Sequence, residues 1–243
     1  MAATVMAAIP TFTNEHLTYK VTYKWGIIHQ KAGSAELILK QGPTEYSAIM
    51  TARTQPWADK IFMVRDTLKG TMRLNDMAPT LYDKATHEGS QFRHDVLTYT
   101  YNDDNTITAT SHRFKKKKKS NTPELIDTVM TAPMPGTDML SVYYLVRRLP
   151  FEDMKAGTVA YANIFSAIGI EKLAVKYSGV ETIELNDANH ECYKIEFNFS
   201  SERMKNSSAP MKAWISTDVD RIPLKLEGSL SIGKIQVLYE SKK

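Results

Sequence analysis

Apolar side chains recur at every second position along most of this chain, the period of a strand with one buried face. Leu17, Tyr19, Val21, Tyr23 and Trp25 alternate with Thr18, Lys20, Thr22 and Lys24, and Gly26 ends the run. Ala35, Leu37 and Leu39 follow Gly33, and Tyr46, Ala48, Met50 and Ala52 follow the Gly42-Pro43 turn, which predicts a three-strand meander. Similar runs over residues 67–74, 80–87 and 92–101 lead into the Asn102–Asn105 turn and a strand over residues 106–114. Beyond Gly157, Val159, Tyr161 and Phe165 predict one strand, with Leu173, Val175, Tyr177, Ile183 and Leu185 along the next. Tyr193, Ile195, Phe197 and Phe199 answer them after a turn at Asn186–Asn189. Met211, Ala213 and Ile215 alternate next, and beyond Asp218–Asp220 the apolar positions are even from Ile222 to Ile232 and odd from Ile235 to Tyr239, so a turn or bulge is expected near Gly233.

Two stretches break the alternation. Pro56, Trp57, Ile61 and Phe62 have the spacing of a short helix with proline in its first turn. Met139, Val142, Tyr143 and Val146 predict a longer one, capped by Thr137 or Asp138, with Arg147 and Arg148 in its last turn and Pro150 closing it. Pro123, Pro133 and Pro135 predict a loop across residues 120–136. Strands outnumber helices without βα alternation, so the expectation is a mainly β chain with a single β-rich domain over residues 15–243.

Charge changes this picture little. The net charge is +4, yet Lys115 to Lys119 contribute +5, so the remainder sums to −1 and the basic character is one local run. Such a run reads as a solvated loop or strand end, and no nucleic-acid partner is expected. No apolar stretch has the length of a membrane-spanning helix. Met1 to Pro10 is small and apolar, like the tail of a secretory signal peptide, so residues 1–14 read as its remnant plus a linker and the protein as exported.

Motifs for chemistry are missing. Cys192 is the sole cysteine, which excludes an intramolecular disulfide, and the six histidines have no metal-ligand spacing, so neither metal nor cofactor is expected. Neither Gly-x-Ser-x-Gly nor Gly-x-Gly-x-x-Gly occurs. Asp218 and Asp220 read as turn residues, Asp218 accepting backbone N–H groups or pairing with Arg221. Asp138 and Arg147, nine apart, read as a cap and a bridge to another element. A non-enzymatic protein is the expectation, the alternative being an envelope enzyme acting on glycans through carboxylates such as Asp66, Asp138 or Asp218.

The segment TDMLSVYYLVR over residues 137–147 and AWISTDVDRIP over residues 213–223 resemble a bacterial family of exported proteins, domain of unknown function 3108. Asp138, Arg147, Trp214, Asp218, Arg221 and Pro223 fit its motif positions, and the strand from Tyr19 to Gly26 extends the likeness over roughly residues 15–240. The resemblance implies an antiparallel half-open β-barrel or strongly curved sheet with one short and one longer α-helix at the open side. It is similar in outline to periplasmic lipoprotein carriers, periplasmic or outer-membrane associated, with no known reaction. Helices covering an open barrel make Trp57, Ile61, Phe62, Tyr143 and Tyr144 the candidates for contact with an apolar small molecule or lipid. An envelope protein is the other partner to expect, and the motif turn reads as a register-fixing clasp of Asp218 with Arg221.

Overall fold

A computed structural model describes residues 10–117, 122–200, 209–229 and 233–243. The apolar start through Ile9, Lys118, Lys119, Leu230 and Ile232 lie outside those residues. Fifteen strands form one sheet. The first eight, β1 (Glu15–Trp25), β2 (Ile28–Gln41), β3 (Glu45–Thr54), β4 (Val64–Arg73), β5 (Pro79–Glu88), β6 (Gln91–Tyr101), β7 (Thr106–Lys117) and β8 (Glu124–Pro133), each pair with the next. Between β3 and β4 lies α1 (Pro56–Phe62).

After β8 come the two-residue β9 (Gly136–Thr137), α2 (Ser141–Arg147) and a 3-10 turn at Phe151–Asp153. The meander resumes with β10 (Val159–Ser166), β11 (Gly169–Leu185), β12 (Ala188–Ser200), β13 (Met211–Ser216), β14 (Pro223–Ser229) and β15 (Lys234–Lys242). β15 then pairs with β1, Val237 opposite Val21, so the first and last strands meet mid-sheet. All pairings are antiparallel except β9 with β10. Gly233 takes φ 79° just before β15, the turn that the change of apolar phase predicts.

The sheet curls into a nearly closed barrel, the architecture that the family resemblance implies. Its seam lies between β8 and β10: Asn163 donates from its backbone to Pro135 O at 2.9 Å and from Nδ2 to Pro133 O at 2.8 Å. Ser111 Oγ on β7 bonds Ala167 O across the same gap at 3.1 Å. Register puts the β1–β2, β3–β4, β5–β6, β7–β8, β10–β11, β12–β13 and β14–β15 connections at one end, the open end. The alternate connections, with the residues leading into α2, close the other.

Three expectations are corrected. Residues 124–133 are a strand, not loop: Met130 and Ala132 face the core, and prolines are tolerated because β8 is an edge strand pairing with β7 alone. On β10 the buried positions are Ala162, Ile164 and Phe165, while Val159 and Tyr161 are exposed, because the even positions 162 and 164 take the core face and 159 and 161 point away from it. Both helices have seven residues, and α2 begins after a turn in which Asp138 already holds the N–H groups of Leu140 and Ser141, at 2.8 Å each.

Gly136 sits where the seam is tightest. A Cβ there would meet the Ile107 side chain and approach Phe165 to 2.9 Å. Gly136→Val is expected to cost about 1–3 kcal/mol through overpacking, read as a lower urea midpoint at unchanged m-value.

Candidate functional site: an apolar cavity over a buried arginine clasp

α2 crosses the barrel interior and is held by arginine bonds more than by its own length. A seven-residue helix is marginal alone, so tertiary contacts must supply its stability. Arg147 is fully buried, and its Nη1 and Nη2 reach Glu15 Oε2 and Oε1 at 2.8 and 2.7 Å. Its Nε donates to Arg221 O at 2.9 Å and Nη2 to Asp220 O at 2.6 Å, with the Phe12 ring 3.9 Å beneath the guanidinium. Four of the five N–H donors of the planar fork thus find acceptors, and the cation stacks on a ring face.

Arg221 returns the contact. Its Nη1 donates to Arg147 O at 3.2 Å and to Leu149 O, and its Nη2 pairs with the Glu152 carboxylate. The expected Asp218–Arg221 ion pair is therefore replaced. Asp218 Oδ1 instead accepts the backbone N–H groups of Asp220 and Arg221 at 3.0 and 3.1 Å and the Ser216 hydroxyl at 2.9 Å. The physical reason is the turn itself: Arg221 adopts φ 44°, a left-handed conformation that sends its side chain towards the end of α2. Trp214 stays outside this clasp, donating Nε1–H to Glu181 at 2.9 Å with Lys225 over its ring, and Pro223 begins β14.

Above α2 the barrel is hollow. A cavity of about 540 Å³ extends from Val142, Tyr143 and Val146 on α2 to Thr54 and Val64 near the open end. Its wall, supplied by β1–β4 and β11–β15, is almost wholly apolar. Small residues make the space, with Gly33, Ala35 and Ala52 on one side and Ala213 opposite. Tyr143 borders the cavity with its hydroxyl 2.7 Å from that of Tyr19, and burial pushes the Tyr143 phenol up to about 12, so both hydroxyls stay neutral.

The sequence candidates thus separate. Tyr143 lines the cavity, whereas Tyr144 lies fully buried in the packed core against Phe12. Trp57, Ile61 and Phe62 sit on α1 beside the open end and are not part of the cavity wall; Trp57 donates Nε1–H to Lys31 O at 2.9 Å. Asp66, Asp138 and Asp218 occupy a strand, a cap and a turn, and none is hydrogen-bonded to another among the described residues. Cys192 is buried, and desolvation raises its thiol to about 12, which leaves it unreactive. Among the described residues no three His, Cys, Asp or Glu side chains group to hold a metal ion, and no helix is long and apolar enough to cross a membrane. Sequence reasoning missed Glu15 and Phe12, and the inward alanines and glycine were the available signal for a hollow interior.

The family model described as "Protein of unknown function (DUF3108)" matches residues 18–239. No curated protein matches the sequence. Among solved structures the chain resembles a β-barrel-like protein of domain of unknown function DUF1849 from Brucella abortus. The TM-score is 0.61 at 6% identity, covering 96% of this chain and 98% of that one, a likeness of fold alone.

Two tests follow from the clasp. Arg147→Met or Glu15→Gln alone leaves one buried charge unpaired and is expected to cost about 3–5 kcal/mol, with the double variant costing less than the sum, measured by denaturant unfolding. Burial raises the Asp138 carboxyl to about 6 against the pull of the Leu140, Ser141 and Tyr99 donors. The folded state then holds this proton more tightly than the unfolded chain, so stability falls as pH rises from about 4 to about 6 and levels off above. Between pH 5 and 7 the wild type should lose on the order of 1 kcal/mol relative to Asp138→Asn, in paired unfolding curves.

Proposed function

The chain belongs to this family of proteins of unknown function, and we propose that it is a non-enzymatic, exported protein of the bacterial envelope that holds an apolar or lipid-like ligand above α2. The observation that carries this is the cavity of about 540 Å³ with its apolar wall. Space of that size lies within the range of ligand sites, roughly 300–1,000 Å³. A wall that is almost wholly apolar anchors ordered water poorly, so hydrocarbon is the better filling. At about 30 Å³ per water-sized unit the space takes roughly 18 such units, and a methylene group occupies nearly the same volume. That is room for an acyl chain. The hydroxyls of Tyr19 and Tyr143 bond each other, one donating and the other accepting.

Export and envelope location rest on what the family resemblance implies. A non-enzymatic role rests on the missing catalytic motifs and on aspartates engaged in caps and turns.

Solvent extraction of the purified native protein, followed by mass spectrometry, is expected to release a single-chain amphiphile, and the stripped protein should bind a fluorescent fatty acid. Ala35→Phe, which fills the cavity, is expected to weaken that binding at least tenfold while leaving the melting temperature unchanged or raised. Wild-type protein that yields no lipid and takes up no probe would overturn the reading.

A further inference from the structure

Exposed apolar side chains gather beside the open end. Ile61 and Phe62 on α1 are 78% and 54% exposed and Phe92 on β6 is 38% exposed, and the three line one shallow depression with His87 and Lys116. Ile27, at the tip of the β1–β2 hairpin, stands fully exposed at the same end. Polar residues could fill such positions without loss of packing, and a cluster of this kind marks a surface that meets something apolar.

Charge is distributed along the barrel axis in the same sense. Lys24, Lys60, Lys116 and Lys117 stand at the open end and form no ion pair among the described residues. The turns at the closed end carry Asp103, Asp104 and Asp187, while Asp220 there is paired with Lys242 at 2.8 Å and Asp218 is held by the N–H groups of its own turn. One end therefore joins protruding apolar groups to free ammonium groups, while the other presents carboxylates. A surface with negative charge outside and hydrocarbon just beneath complements the first end and repels the second.

We propose that the open end docks on an anionic phospholipid bilayer, with Ile61, Phe62 and Ile27 entering the interface and Lys60, Lys116 and Lys117 meeting its phosphates. The docking brings the open end of the barrel to the lipid, and it goes beyond the ligand reading without depending on it. Each lysine near such a surface contributes about fivefold to binding, an effect that salt screens.

Cosedimentation of the full chain with phosphatidylcholine vesicles, with or without phosphatidylglycerol, tests this at low and high salt. Binding to the anionic vesicles is expected, weak binding to the neutral ones, and a loss of affinity as salt rises. Ile61→Asp with Phe62→Asp should reduce binding at least tenfold, as should Lys116→Glu with Lys117→Glu, at an unchanged melting temperature. Val180→Asp, at an exposed apolar site away from the open end, should have no effect. Equal binding to both vesicle types, no binding to either, wild-type affinity in the double variants, or an equal loss with Val180→Asp would overturn the proposal. Failure here with fatty-acid uptake intact would leave the cavity reading standing, and the reverse outcome would remove that reading alone.

Discussion

The guanidinium of Arg147 is the constraint on which the rest depends. A charge with no access to water is tolerable only where its donors are answered, and here four of the five are, by both oxygens of Glu15 at the entry to β1 and by the Asp220 and Arg221 carbonyls between β13 and β14, with the Phe12 ring stacked beneath. Arg221 answers through the carbonyls at the end of α2 and through Glu152. Each arginine bonds the backbone of the other, so neither the helix nor the turn can shift without stranding a charge. A short helix is thereby fixed across a wide barrel, and the packed lower interior is separated from the hollow upper one.

Barrel width explains why a helix is needed at all. Fifteen strands enclose more space than inward side chains can fill, and such barrels hold a plug, a ligand or both. Below, α2 and the aromatics around Phe151 fill the interior, Phe151 stacking on Tyr193 at 4.6 Å. Above, small residues at Gly33, Ala35, Ala52 and Ala213 leave the centre open. Towards the open end of β6 and β7 the inward positions turn polar, with Asp95 and Arg113 paired at 2.7 Å in two bonds, while Leu97, Ile107 and Ala109 nearer the closed end join the core.

Most strands were legible because their alternation is local: β1, β3, β6 and β12 follow from the residues within each run. What failed was non-local. β8 is framed by prolines, which read as loop punctuation, yet an edge strand needs N–H groups on one side only. Glu15 looks like a solvated residue ahead of a strand, and its burial follows from an arginine 132 positions later. The partner of Arg221 was misjudged because sequence proximity favoured Asp218, while the left-handed backbone at Arg221 directs the side chain to Glu152. For the site, the inward positions of the cavity wall could be listed from periodicity, but periodicity does not say whether facing side chains touch.

The pairing of β15 with β1 has a consequence for how the chain assembles. All but one of the other neighbouring strands in the sheet are joined by a short connection and can zip locally, but β1 waits for a partner more than 200 residues away, Thr18 meeting Ser241 across a separation of 223. During synthesis β1 exposes an open edge and an apolar face until the final strand emerges, and the contact that closes that edge is among the slowest to find by diffusion of the chain. The same late step delivers Asp220 and Arg221 to Arg147, so the buried charge is neutralised only when the last part of the sheet arrives. Such a chain spends its immature life as a template for strand addition, and a holding chaperone would act on it there.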